Sequence, residues 1–192
     1  QLSKALKPEK PAIWIMGGAK LTKIKLMETA LQKAEHILLG GALPFAFIKA
    51  KGGSIGQSKC DRNSVKIARK LLKNKLSSKI LFPTDYIVTE KMSARGKAET
   101  VAFSDIQSTQ IALDIGPKSV SLFKQNLRRA KTIVWNGPLG YFEWNNFAAG
   151  TREVGREVAK LSATSICGGG ETAEAIKKFR LEDKITHLST GG

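Results

Sequence analysis

At 192 residues with a formal charge of +16, from 32 Lys and Arg against 16 Asp and Glu, the chain has the size of one strongly basic domain. Its 42% hydrophobic and 25% charged residues exclude a disordered chain, and no apolar run reaches the roughly 18 residues of a membrane helix. Cys60 and Cys167 are too few for a disulfide framework and lack metal-ligand spacing, so reduced, packed thiols and a cytoplasmic location are expected.

Residues 1–11, with Leu2, Leu6 and Pro8 ahead of Pro11, read as the end of a helix and a linker, leaving 12–192 as the domain. Ala12–Met16 is the first short apolar run; Gly17-Gly18 follows it, and then Ile24, Met27, Leu31 and Ala34 at helical spacing. His36–Leu39 is the second run and ends in Gly40-Gly41. Lys66–Lys75 is rich in basic residues around a stripe of Val65, Ala68 and Leu72, and reads as a helix with a solvated basic face. Lys79–Phe82 and Tyr86–Thr89 have strand length, yet Thr84–Asp114 as a whole is polar and broken, which predicts a β-rich excursion that includes Thr100–Phe103. Val120, Phe123, Leu127 and Ala130 mark the next helix, Thr132–Trp135 the next strand, Val154, Val158 and Leu161 another helix, and Thr164–Cys167 another strand. Apolar strands that alternate with amphipathic helices predict a doubly wound α/β fold, because parallel neighbours need crossover connections and are buried on both faces.

Four of these runs end in glycine clusters: Gly17-Gly18, Gly40-Gly41, Asn136-Gly-Pro-Leu-Gly140 and Gly168-Gly-Gly170. In an open α/β sheet such loops gather at the carboxyl ends of the strands, where these folds bind ligands. Glycine admits a ligand close to the backbone, and the helix that follows offers unpaired N–H groups to an anion. Lys20 and Lys23 fall on the first turn after the first cluster, within reach of a bound phosphate. Glu171 and Thr172 stand at a helix start, where Glu171 could complement the helix dipole or hold Mg²⁺, and Thr172 could donate to a phosphate oxygen. The P-loop and protein-kinase motifs are absent, and His36 and His187 have no metal-like spacing. A pI near 10.0 motivates the competing reading of a nucleic-acid-binding domain, against which stand few aromatic residues and no recognised nucleic-acid module.

Taken together, Gly17-Gly-Ala-Lys20, Leu39-Gly-Gly41 with Phe47-Ile-Lys49, Leu113-Asp-Ile-Gly-Pro117, Trp135-Asn-Gly-Pro-Leu-Gly-Tyr-Phe-Glu143, Gly168-Gly-Gly-Glu171 and His187-Leu-Ser-Thr-Gly-Gly192 resemble, in order, the motifs of the C-terminal, nucleotide-binding domain of phosphoglycerate kinases. The resemblance implies a Rossmann-like sheet of about six parallel strands with helices on both faces. It implies binding of Mg-ADP or Mg-ATP for reversible phosphoryl transfer between 1,3-bisphosphoglycerate and ADP, with 3-phosphoglycerate held by an N-terminal domain absent from this chain, and a monomeric protein without membrane attachment. Gly17, Gly18, Ala19, Gly40, Gly41, Leu113, Leu139 and Gly140 would line the adenine pocket and Glu143 would hold the ribose. Lys20 would meet the transferring phosphoryl group and Lys23 the nucleotide phosphates, with Asn136 beside them, Gly169, Gly170 and Thr172 cradling the phosphates, and Glu171 on the Mg²⁺.

Four positions depart from the family pattern. Two residues rather than three separate Lys20 from Lys23, Glu171 stands where Asp is common, Ala112 where Gly is usual, and Lys59 where an apolar pocket residue is common. These departures keep open a further reading, a nucleotide-sensing domain without activity. The domain that would bind the acid substrate and the tail after Gly192 are not in the sequence, so nucleotide binding with poor turnover is expected of this chain alone.

Overall fold

The computed structural model describes residues 8–189. The expected helix end over residues 1–7 and the last three residues of the final motif lie outside them. Residues 8–11 are irregular, and Ala12 opens the first strand.

Six strands form one parallel sheet: β1 (Ala12–Met16), β2 (His36–Leu39), β3 (Ile80–Leu81), β7 (Thr132–Asn136), β8 (Thr164–Gly168) and β9 (His187–Ser189), in the order β3-β2-β1-β7-β8-β9. The α-helices are α1 (Met27–Lys33), α2 (Leu43–Ala50), α3 (Arg62–Leu72), α4 (Pro117–Leu127), α5 (Ala149–Val158) and α6 (Gly170–Lys178). Successive side chains of a strand point to opposite faces, and here each face has its own core. Ile13, Ile15, Leu38, Ile133 and Trp135 pack with Phe123 and Leu127 of α4, Val154 and Val158 of α5 and Ile176 of α6. Met16, Ile37 and Leu39 pack with Met27 and Leu31 of α1, Leu43 and Phe47 of α2 and Ala68 and Leu71 of α3. Burial on both faces explains why the strands read as continuous apolar runs, and the expected doubly wound α/β class is the one observed.

Chain order runs outward from β1 to β3 on one side and from β7 to β9 on the other, so the sheet's direction of winding reverses between β1 and β7. The excursion is a second, antiparallel sheet, β5-β4-β6, of β4 (Asp85–Thr89), β5 (Glu99–Ala102) and β6 (Ile111–Ile115). Tyr86, Val88 and Ala112 from this sheet bury Phe45 and Ile48 of α2, fixing it against the main body. Asp85 adds a polar tie: its carboxylate accepts from the backbone N–H of Lys118 at 3.0 Å and of Ser119 at 2.8 Å, capping the first turn of α4, whose own N-cap Gly116 has no side chain to do so.

Tyr86–Thr89 falls in the small sheet, within the expected excursion, and the sixth parallel strand is His187–Ser189, a short, partly exposed edge strand whose three residues carry no apolar run. Two local expectations change. The segment after Gly17-Gly18 begins as a 3-10 turn over Leu21–Leu26 and becomes α-helical only at Met27. On α3 the buried positions are Ser64, Ala68 and Leu71, with Val65 and Leu72 only half-buried.

Candidate functional site

The strand ends are in register. Met16 pairs with Leu39 on one side and Asn136 on the other, Asn136 with Gly168, and Gly168 with Ser189. All the loops that follow therefore leave from one edge of the sheet, around the point between β1 and β7 where winding reverses, the position at which open α/β sheets form a ligand crevice.

The first three glycine loops are stitched to one another. Gly17 N donates to Asn136 O at 2.9 Å, Gly18 N to Pro138 O at 2.7 Å, Gly40 N to Met16 O at 2.9 Å and Gly41 N to Leu139 O at 2.9 Å. A Cβ at Gly17 would overlap the Pro138 carbonyl. Gly41 combines φ +59 with contact against the Gly18 backbone, so that position demands glycine twice over. These amides are consumed by loop packing, and of the expected pocket residues Gly17, Gly40 and Leu139 are buried and do not line the cleft, Leu139 lying in the main core.

A cavity of about 350 Å³ lies over this stitched floor. Of the expected residues, Gly18, Ala19, Gly41, Leu113, Gly140, Glu143 and Glu171 line it. Phe45, Met92 and Tyr141 line it too and were not singled out from sequence; only the position of Phe45 just after a glycine loop, and of Tyr141 within the Trp135–Glu143 motif, could have pointed to them. The volume falls in the range of small-molecule sites, roughly 300–1,000 Å³.

At one end of the cleft stands α6. The N–H groups of a helix's first turn have no intrahelical acceptor and carry the positive end of its dipole, so Gly170 and Glu171, behind the N-cap Gly169, present an anion-binding end. The fully buried Thr172 hydroxyl accepts from Gly137 N at 2.7 Å and donates to Gly168 O at 2.8 Å, bracing the Gly137 turn against α6. Beside it the Asn136 amide oxygen is buried with no partner among the described residues, 3.6 Å from where a Cβ on Gly169 would stand.

Lys23 reaches this place despite its shortened spacing. Its ammonium lies 3.3 Å from the Glu171 carboxylate, both side chains being more than half buried, and tucks against the Gly18 and Gly137 turns. Lys20, by contrast, is exposed at the start of the 3-10 turn and has no ion-pair partner among the described residues. Glu143 lines the cavity and is exposed, its carbonyl accepting from Lys178 Nζ at 2.9 Å.

Asp114 supports the wall from behind. It is wholly buried, accepts from Gly150 N at 2.8 Å and from Ile115 N at 2.9 Å, and its burial pushes the carboxyl up to about 8. It thereby caps α5 and anchors Leu113, whose carbonyl accepts from Tyr141 N at 2.7 Å. Among the described residues no three or more His, Cys, Asp or Glu gather to hold a metal, and no helix is long and apolar enough to cross a membrane.

The family model described as phosphoglycerate kinase matches residues 1–192. The phosphoglycerate kinase of Lactobacillus delbrueckii subsp. lactis is 43% identical over 187 residues, covering 96% of this chain and 46% of that protein, and that of Latilactobacillus sakei subsp. sakei is 44% identical with the same coverage. Among solved structures, phosphoglycerate kinase from Coxiella burnetii superposes with a TM-score of 0.94 at 37% identity, over 100% of this chain and 50% of its own, and that from Pyrococcus horikoshii OT3 with 0.84 at 30% identity, over 100% and 49%. The chain thus spans about half the length of the relatives it matches. With the family model matched from first residue to last and the whole chain superposing on solved members, the chain belongs to the phosphoglycerate kinase family.

Proposed function

We propose that the cleft binds Mg-ADP or Mg-ATP and that the whole protein carries out reversible phosphoryl transfer between 1,3-bisphosphoglycerate and ADP, with the acid held outside residues 8–189. The observation that carries this reading is the open N-terminus of α6 at the carboxyl edge of the sheet, flanked by Lys23, at one end of a cavity that Phe45, Met92 and Ala112 also wall. Phosphoryl transfer asks a protein for positioning and positive charge more than for covalent chemistry, and this edge of the sheet supplies both.

The residues fit a polyphosphate. Gly169, Gly170 and Glu171 offer backbone N–H groups, the Asn136 side chain stands beside them, and Lys23 supplies charge. For magnesium, Glu171 is the one carboxylate at this end of the cleft; the ion characteristically takes one or two carboxylates and completes its shell with phosphate oxygens and water, so a dedicated protein cage is not required. Bound magnesium would neutralise charge on the phosphate oxygens. Lys23 already neutralises Glu171, and nucleotide entry redistributes that ammonium between the carboxylate and the phosphates. Exposed Lys20 is placed to meet a phosphoryl group arriving from outside the cleft. Ala19, Gly41, Leu113 and Gly140 wall the base and sugar, Gly18 stands where they meet the phosphates, and Glu143 takes the ribose hydroxyls.

Calorimetric titration with Mg-ADP tests this. Saturable binding is expected, weakened about tenfold to a hundredfold by Lys23→Ala, which removes a charge-assisted contact, whereas Lys20→Ala depresses turnover of the intact protein much more than ADP affinity. Absence of any response to ADP, together with salt-steep binding to duplex nucleic acid, would favour the basic nucleic-acid-binding reading instead.

A further inference from the structure

The cavity has two chemically different ends. Gly18 and Glu171 close one, beside Lys23 and the start of α6. The other is walled by Phe45 and Ala112, from the apolar cluster shared by α2 and the small sheet, and by Met92. One cation lines the cavity there. Lys59 has no carboxylate partner among the described residues, and its place is set by its neighbours: Ser58 Oγ accepts from Ala112 N at 3.0 Å and Gln57 N donates to Gln110 O at 2.8 Å, so the segment from 57 to 59 lies along β6.

Lys59 is exposed, so water satisfies its three donors in the open cleft, while the apolar wall offers it no acceptor. A ligand that covers Lys59 has to bring acceptors in place of that water. With phosphates at α6, the group that arrives here is the base. Adenine carries an amino donor on C6, which a lysine repels; guanine and hypoxanthine carry a carbonyl there, which together with N7 makes the adjacent acceptor pair that lysine recognises on guanine. We infer that Lys59 reads the 6-position of the purine and shifts the preference of this site toward 6-oxopurine nucleoside diphosphates. The inference rests on the nucleotide reading of the cleft given above.

The test is calorimetric titration of ADP, GDP and IDP, each with Mg²⁺, into the intact protein and into Lys59→Leu and Lys59→Arg. Lys59 is exposed, so neither substitution disturbs the core. The ratio of the ADP to the GDP dissociation constant is expected to fall about tenfold in Lys59→Leu, with IDP following GDP and Lys59→Arg keeping the ratio of the parent. A ratio unchanged in Lys59→Leu while all three nucleotides bind would overturn the role of Lys59 and leave the nucleotide site standing. IDP behaving like ADP would also overturn it, since IDP has the 6-oxo group and lacks only the 2-amino group of GDP. If none of the three saturates the intact protein, the nucleotide reading itself falls, and the inference with it.

Discussion

Asp114 and Thr172 show how buried single residues shape a cleft that they do not touch. The Asp114 carboxyl is pushed up to about 8 by burial, against 3.8 ordinarily, so the folded state holds its proton where the unfolded chain has released it. That stabilisation is complete below the unfolded value and is lost as pH rises through the folded one. Asp114→Asn keeps an acceptor for Gly150 N and removes the titration. Thermal unfolding across about pH 4 to pH 8 should show the wild type losing stability relative to Asp114→Asn as pH rises; a constant gap would contradict the assignment. Thr172→Val preserves shape but strands the buried Gly137 N–H, which should cost about 1–3 kcal/mol and lower Tm by about 3–9 °C. Lys23 and Glu171 were legible as site candidates because each stands at the start of the segment that follows a glycine cluster at a strand end. Asp114 was not, because nothing in Leu113-Asp-Ile-Gly-Pro117 distinguishes a buried helix-capping carboxylate from a solvated one.

Among the elements, the loops at the strand ends matter more than the helices. Gly17, Gly18, Gly40 and Gly41 pack the loops after β1 and β2 onto the loop after β7, and the cleft floor is this stitched layer. Gly41→Ala should be among the more damaging small changes in the protein, since it combines a left-handed φ with overlap against Gly18; a loss of about 2–4 kcal/mol is expected by denaturant titration, with ADP affinity falling in parallel. A variant as stable as the parent would show that the layer can spread at no cost. The runs that became β1, β2, β7 and β8 could be read from sequence because burial on both faces makes them largely apolar. His187–Ser189 escaped that reading because an edge strand of three half-exposed residues needs no apolar run, and Tyr86–Thr89 was ambiguous because the same run suits either sheet.

At the scale of the molecule, a cleft that positions only one reactant forgoes most of the rate that comes from holding two, an effect commonly worth on the order of 7–11 kcal/mol of barrier. Under the proposed reading, residues 1–192 by themselves should bind Mg-ADP yet turn over 3-phosphoglycerate far more slowly than a relative of about twice their length; a coupled assay giving comparable turnover would refute this. By itself the sequence determined the two-sided core, the winding of the sheet and the edge at which its ligand loops emerge, since periodicity and glycine placement are local properties that survive translation into a fold. Only the tertiary structure decided which amides at that edge remain free. Gly18 spends its N–H on Pro138 and Gly41 on Leu139, partners far away in the chain, whereas the N–H groups at the start of α6 are left without an intrahelical acceptor by helix geometry.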